Sequence, residues 1–582
     1  MANSTVADSL LAIDIGTVNT RAILFDVVDG VYRFLAMGSS PTTAKAPYHD
    51  IREGIHIALT QLQEITGRTI MGVDQQIILP STTDGSGVDR CVVTTSVGEP
   101  LKLVAVGLLE DISVQSAISL ASTTYAQVVD TLSLNDRRKV AARLDTIVRL
   151  RPDVVVVAGG TDGGASQSVL GILESIGLAC QFLPENQRPE VLYAGNEKLA
   201  DQVKESLALP SFHVAPNIRP TLDVEQLEPA QTVLDQIYRN VRVKGMPGMQ
   251  QMDLWTGGHW MPTASAYGRM IRLLSRVYSA SRAALGVDVG ASATTIAAAF
   301  DGELALGVYP QFGLGETING LLNHTSLAEI SRWIDIEVTD DALRDYIQNK
   351  ALYPTSVPGT PTDLIIEQAL ARQLISLSLR RLNSRFPAQA SRIQWNLMPY
   401  VNPIVGSGAV LVNAPSYAHA VLMLLDAIQP VGVTRLMLDQ NELSAVLGAA
   451  AMINAALTVQ VFETGSYITL GTVASPIGRA ERGAPVLQVK VSSESGYSST
   501  TEVKFGAIEV IPLPAGQPAS VSFQPYHRFD MGKGPGRAVK VDNMVSGLYG
   551  IIVDARGRPL QIPPELPKRA ELMRKWLASF EH

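Results

Sequence analysis

Only two cysteines occur in 582 residues. Cys91 and Cys180 each stand in an apolar context with no CxxC pair and no histidine at ligand spacing, so two buried thiols are expected rather than a zinc site. Charge is scarce as well. Asp, Glu, Lys and Arg make up 18% of the chain, and the net charge of -8 argues against broad attraction to nucleic-acid phosphates or an anionic membrane surface. Nucleic acid is therefore not expected as a partner. The opening MANSTVADSL lacks the charged and apolar regions of a secretory leader, which points to the reducing cytoplasm. Long apolar runs are also few. The exception, Leu443 to Phe462, has twenty residues without a charge, but it is Ala-rich and contains Asn454 and Gln460. A buried helix followed by a strand is expected there, not a transmembrane segment. No GxxxxGK[ST] loop is present, and GKGPGR (532–537) lacks the flanking strand and helix of one, so it reads as a solvated loop.

What is present is a 46% hydrophobic chain without low-complexity runs, long enough for two or three domains. Its first strong element is LLAIDIGTVNTRAILFD (10–26), an apolar strand, an Asp, a Gly turn rich in hydroxyls and a second alternating strand. The pattern returns at LGVDVGASATTIAAAFDGEL (285–304). Further on, DVVVVAGGTDGGA (153–165) and EVLYAGNEKLADQVKESLAL (190–209) read as continuing the first copy, mirrored by NPIVGSGAVLVNAP (402–415) and TRLMLDQNELSAVLGAAAMINAAL (434–457) in the second. Strands alternating with helical segments place ligands at the carboxyl ends of the strands.

The resulting fold class is α/β: two actin-like (ribonuclease H-like) units flanking a nucleotide cleft, followed by an all-β segment. The expected domains are residues 1–243 with an inserted subdomain at about 27–150, residues 244–462, a β-domain at 463–562, and an amphipathic tail at 563–582 that docks on its own protein. Helical structure is expected from Leu134 to Leu150.

An Asp-Gly-hydroxyl turn suits ATP because consecutive backbone N–H groups and hydroxyls face phosphate oxygens. The adjacent carboxylate suits Mg²⁺, which keeps most of its waters. Asp14 with Gly16, Thr17, Asn19 and Thr20 fits this description most fully; Asp288 with Gly290, Ser292, Thr294 and Thr295 is the second, drifted copy. Gly406, Ser407 and Gly408 form the turn expected near the adenosine. Asp14 and Asp288 are the candidate metal-holding residues. Asp162, in the AGGTDGGA loop, is the candidate for orienting an attacking water, or else it stabilises its own turn.

With those residues in place, the chain resembles the glutamate mutase L family of actin-like ATPases over residues 10–457. The resemblance is carried by LLAIDIGTVNTRAILFDVVDG, LKLVAVGLLEDIS (101–113), RPDVVVVAGGTDGGA (151–165), VLYAGN (191–196) and the second hairpin. It implies an ATP-binding accessory or chaperone protein, a slow ATPase serving a partner enzyme such as an adenosylcobalamin-dependent mutase. The chain has no cobalamin-binding DxHxxG motif of its own. The alternative is a self-associating, nucleotide-regulated filament or scaffold protein with weak hydrolysis.

Overall fold

The computed structural model describes residues 8–207, 211–277, 283–387, 397–493, 496, 498–513, 518–526, 528–544 and 546–581. The expected end of one helix, at 208 and 209, and the last residue of the expected tail lie outside the described residues. The chain divides into two compact units, Met1–Ala266 with Val308–Pro310, and Tyr267–Gly307 with Gln311–His582.

Unit 1 opens with β1 (Leu10–Ile15), buried along its whole length, which turns tightly into β2 (Asn19–Val28) and on into β3 (Val31–Pro41), both antiparallel to their predecessor. After the helix Ile51–Thr66, β4 (Arg90–Thr95) lies parallel to β1. The chain then leaves this sheet. β5 (Leu101–Gly107), β6 (Ala126–Ser133), β7 (Val154–Val157), β8 (Glu190–Tyr193) and β9 (Phe212–Val214) build a separate, all-parallel sheet of order β6-β5-β7-β8-β9. Its core joins Val104, Val155 and Val191 to Ile172, Leu173 and Ile176 of the helix Gln167–Phe182. Among the described residues, β10 (Trp260–Pro262) alone returns to the first sheet, parallel to β4, giving the order β10-β4-β1-β2-β3.

This arrangement corrects the expected insertion. Residues 27–41 belong to the hairpin sheet, whereas β7 and β8, expected to continue the first unit, belong to the insertion, whose strands run from 101 to 214. The reason is physical: parallel strands covered on both faces read as continuous apolar runs, and such a run does not say which sheet it joins. The helix expected at 134–150 forms from Val140 to Leu150.

Unit 2 repeats the pattern. β11 (Ala283–Val289), β12 (Thr294–Phe300) and β13 (Glu303–Tyr309) form the antiparallel trio, and β14 (Ile404–Ser407) and β15 (Gly432–Leu438) add in parallel beyond β11. β16 (Ile468–Ser475) then pairs antiparallel with β15. β17 (Pro485–Ser493) and β18 (Ser498–Lys504) start a second sheet, β19 (Ile508–Ile511) returns to the first, β20 (Ala519–Pro525) and β21 (Val539–Met544) complete the second, and β22 (Ile551–Asp554) lies between β16 and β19. The C-terminal part is all-β as expected, but it is not set apart at 463. Three of its strands extend the unit 2 sheet to eight, and Ala474, Ile551 and Val553 of that sheet pack against Val489, Val521 and Phe523 of the four-stranded one.

The uncharged run Leu443–Phe462 also differs from expectation. It folds as two short helices, Ser444–Ala450 and Ala455–Glu463, and no strand begins before β16. Asn454 divides them, its side chain capping the second helix at the Leu457 amide. No helix among the described residues is long and apolar enough to cross a membrane. The tail forms the helix Leu566–Ala578 and docks on unit 2: Arg569 donates to the Ile334 carbonyl at 2.7 Å, and Trp576 donates to the Gly506 carbonyl at 3.0 Å.

Candidate functional site

Asp14 is the last residue but one of β1, so its carboxylate emerges where the strand enters the Gly16 turn. It is 9% exposed. Its partners come from distant points of the chain. Thr94, opposite it on β4, donates its hydroxyl to Oδ1 at 2.7 Å, and Thr263, which opens the helix Thr263–Val277 after β10, donates to the same oxygen at 3.2 Å. Two hydroxyl donors satisfy Oδ1. Oδ2 faces Arg21, the residue opposite Asp14 on β2, whose Nη1 lies 3.9 Å away.

The turn itself is tightly specified. Gly16 donates to the Asn19 carbonyl at 2.9 Å, and a Cβ at Gly16 would approach that same oxygen to 2.8 Å, which no side chain permits. The hydroxyl of Thr42 donates to the Gly16 carbonyl at 2.8 Å and pairs with the hydroxyl of Thr20 at 2.9 Å. Thr20 is fully buried and braces the turn. Thr17 leans its hydroxyl on the Ser96 carbonyl at 3.4 Å, and Asn19 is exposed. Among the described residues, the Thr17 and Val18 amides have no acceptor. One carboxylate oxygen beside two such amides fits a magnesium-bound phosphate chain, since magnesium is held by few protein ligands. No cluster of three metal-ligating side chains occurs among the described residues.

In unit 2, Asp288 occupies the same place on β11, opposite Thr295 on β12 and Ser407 on β14. Gly290 donates to the Ala293 carbonyl at 3.0 Å and accepts from the Leu314 amide at 2.9 Å. Ser292 is half-buried in this turn. Thr294 and Thr295 point inward: both are buried, and Thr294 donates to the Phe312 carbonyl at 2.7 Å. Gly406, Ser407 and Gly408 end β14 beside Asp288. Gly408 needs its left-handed φ of 100°, and a Cβ there would lie 2.3 Å from the Val289 carbonyl.

Sequence reasoning missed the rest of this cluster. Asp439 follows β15 directly, is fully buried, donates its amide to the Gly406 carbonyl at 2.9 Å, and accepts the Leu443 and Ser444 amides at 2.8 and 2.7 Å. The Ser444 and Tyr467 hydroxyls pair at 3.0 Å, and Tyr267 donates to the Val405 carbonyl at 3.4 Å. Burial pushes both phenols well above their ordinary range, and the neighbouring Asp439, with Asp288 also beside Tyr267, adds to it. Thr94 and Thr263 were missed likewise. For Thr94 the local trace was the hydroxyl-bearing end of its strand, CVVTTS, which does not say what it faces; Thr263, in WMPTAS, carried no such trace.

The remaining candidates lie outside these two turns. Asp162 lies in the loop after β7, and its partners come from the loops of the inserted sheet: Asn217 donates to Oδ1 at 2.9 Å and the Glu197 amide at 3.1 Å. These contacts tie the Gly-rich loop to the loops that carry Glu197 and Asn217. In the GKGPGR segment the Gly532 and Gly534 amides donate to Asp530 Oδ1 at 2.7 and 2.8 Å, so a carboxylate of the chain already fills the place a phosphate would take. Cys91 and Cys180 are buried free thiols, pushed by burial to about 12 and about 11.

A three-stranded antiparallel hairpin sheet extended by two parallel strands, built twice with an Asp-x-Gly turn at the same point, defines an actin-like protein. The family model described as MutL protein matches residues 10–465, and the chain belongs to this glutamate mutase L family. A relative named Protein MutL, from Clostridium tetanomorphum, is 24% identical over 438 residues, covering 70% of this chain and 87% of the relative. Among solved structures, diol dehydratase-reactivating factor in nucleotide-free form is similar at 10% identity, with 79% of this chain and 100% of that one covered and a TM-score of 0.29. Gluconate kinase from Lactobacillus acidophilus is similar at 11% identity, 78% and 92% coverage and a TM-score of 0.29. At those scores the fold rests on the strand order within each unit.

Proposed function

We propose that this chain binds ATP with Mg²⁺ at the Asp14 turn, hydrolyses it slowly, and serves as an accessory or chaperone factor for a partner enzyme such as a cobalamin-dependent mutase. One observation carries the nucleotide reading: a single carboxylate at the end of β1 whose Oδ1 is held by Thr94 and Thr263, beside a turn whose Thr17 and Val18 amides have no acceptor among the described residues. Such a site is oriented before any ligand arrives, which is what phosphate positioning requires. Bound ATP would supply the phosphoanhydride and magnesium the charge neutralisation. In unit 2 we assign Asp288, Gly290 and Ser292 to a second phosphate-facing turn and Gly406, Ser407 and Gly408 to the adenosine side. Family membership and the name of the Clostridium tetanomorphum relative support the accessory role.

Phosphate release from Mg-ATP by the wild type and by Asp14→Asn tests the ATPase half. The variant keeps the side-chain shape and is expected to lose at least about tenfold in rate, equivalent to the worth of one charge-assisted contact. Equal rates would remove hydrolysis from the proposal.

A further inference from the structure

The inserted sheet carries chemistry that the nucleotide reading leaves unused. Counted along the chain, its five parallel strands stand in the order 2-1-3-4-5, which reverses between β5 and β7. Open parallel sheets of this order take ligands at the carboxyl ends of the strands beside the reversal. There the loop after β7, AGGTDGGA, feeds the helix Gln167–Phe182 of 16 residues.

The donors of this loop are largely unspent. Among the described residues, the amides of Gly160 and Thr161, and those of Gln167, Ser168 and Val169 in the first helical turn, have no acceptor. Ser166 gives the helix no side-chain cap. In GKGPGR an aspartate of the chain takes the loop amides, whereas here Asp162 accepts instead from Asn217 and from the Glu197 amide.

Two side chains from the loop after β8 complete the picture. Asn196 is 1% exposed, and its Oδ1 accepts the Gly163 and Lys198 amides, both at 3.2 Å. The Nδ2 group of the same planar amide is thereby held against the Gly-rich loop, and it has no acceptor among the described residues. A buried donor left unpaired is costly, and a ligand oxygen would relieve it. Lys198 brings the charge. A Cβ on Gly163, whose φ is 78°, would lie 3.2 Å from Lys198 Nζ, so the ammonium stands over the loop. It has no carboxylate partner among the described residues.

We propose that the inserted sheet holds a second anion site, separate from the Asp14 turn, which binds a phosphate group, either free or carried by a small molecule. Lys198 supplies the charge, and Asn196 Nδ2 with the loop and helix amides supplies the hydrogen bonds. Donors from three segments suit a tetrahedral anion better than the two oxygens of a carboxylate. The site stands whether or not nucleotide binds at Asp14.

The test is calorimetric titration of inorganic phosphate and of ribose 5-phosphate into the full-length protein at constant ionic strength. The wild type is compared with Lys198→Gln, Asn196→Asp and Asp14→Asn, and the melting temperature of each is recorded. Lys198→Gln is expected to weaken binding by at least about tenfold without a change in melting. Asn196→Asp keeps the Oδ1 acceptor but turns the free donor into an anionic oxygen, and should abolish binding. Asp14→Asn should bind both probes as the wild type does. Tighter binding of ribose 5-phosphate identifies a carried phosphate, and equal or tighter binding of inorganic phosphate identifies the free anion. No binding by the wild type, or an undiminished affinity in Lys198→Gln, would overturn the site. A loss in Asp14→Asn as large as that in Lys198→Gln would also overturn it, by assigning the phosphate to the Asp14 turn. If Asn196→Asp does not fold, Lys198→Gln decides alone, since Lys198 is exposed.

Discussion

At the scale of single residues, a fully buried network of carboxylates and guanidiniums lies away from the turns. Asp554 is fully buried between Arg556 and Arg558, whose guanidiniums donate to it at 2.8–2.9 Å, and Arg556 continues to Asp426, which Arg372 also holds at 2.8 Å. Burial pushes the Asp554 carboxyl up, but the two arginines outweigh it and hold it well below the usual carboxylate range. A depressed folded-state value means that the unfolded chain takes up the proton first, near pH 4. The stabilisation is therefore complete above that value and is lost as pH falls below it, at a limiting rate of about 1.4 kcal/mol per pH unit for one proton. Urea unfolding between pH 5 and 3 should show a steeper loss of unit 2 stability for the wild type than for Asp554→Asn. Matching slopes would mean that Asp554 is not held in this way. By contrast, the network around Asp14 could not be read from sequence, because its donors Thr94 and Thr263 lie 80 and 249 residues away. The carboxylate and its turn were legible, since Asp, Gly and alternating apolar residues are local signals.

At the scale of elements, what was legible was local and what was missed was pairing. Both hairpins announce themselves through glycine and period-two alternation, and β7 and β8 through their apolar runs. Which sheet β7 and β8 enter depends on long-range partners, and Val154–Val157 reads the same in either. The same limit applies to β16, β19 and β22, which fall in the segment expected to be all-β but were not expected to extend the unit 2 sheet. The loop that carries Asp162 follows β7 and so belongs to the inserted sheet, not to the hairpin sheet. The C-terminal helix was read correctly as docking on its own chain. Trp576 is its anchor, 5% exposed, donating to Gly506 and lying under the Arg556 guanidinium at 4.7 Å. Trp576→Ala should remove about 3–5 kcal/mol of docking and release the helix. Trypsin is then expected to cut at Lys568, Arg569, Arg574 or Lys575 at least about tenfold faster while the rest of the chain resists. An unchanged cleavage rate would show that the helix is not held by this side chain.

At the scale of the whole molecule, one architecture is built twice and equipped unequally. The unit 1 turn has a carboxylate held by two hydroxyls, with Arg21 across the hairpin. Its unit 2 counterpart has Thr295 in place of the arginine, with both threonines of its hairpin turned inward. The resemblance read over residues 10–457 agrees closely with the family match over 10–465, because it rested on the two turns and the apolar strands around them. The inserted parallel sheet and the C-terminal strands were set by pairings that no short motif encodes.

Nucleotide binding at Asp14 is the central claim, and the melting temperature of the full chain with and without saturating Mg-ATP tests it most directly. Ligand at 100 times its Kd stabilises the folded state by about 2.7 kcal/mol, enough to raise the melting of the unit that binds it by several degrees. Binding at the Asp14 turn predicts that rise for the wild type and little or none for Asp14→Asn. A wild type that melts at the same temperature with and without Mg-ATP, or a variant that responds as fully as the wild type, would contradict it.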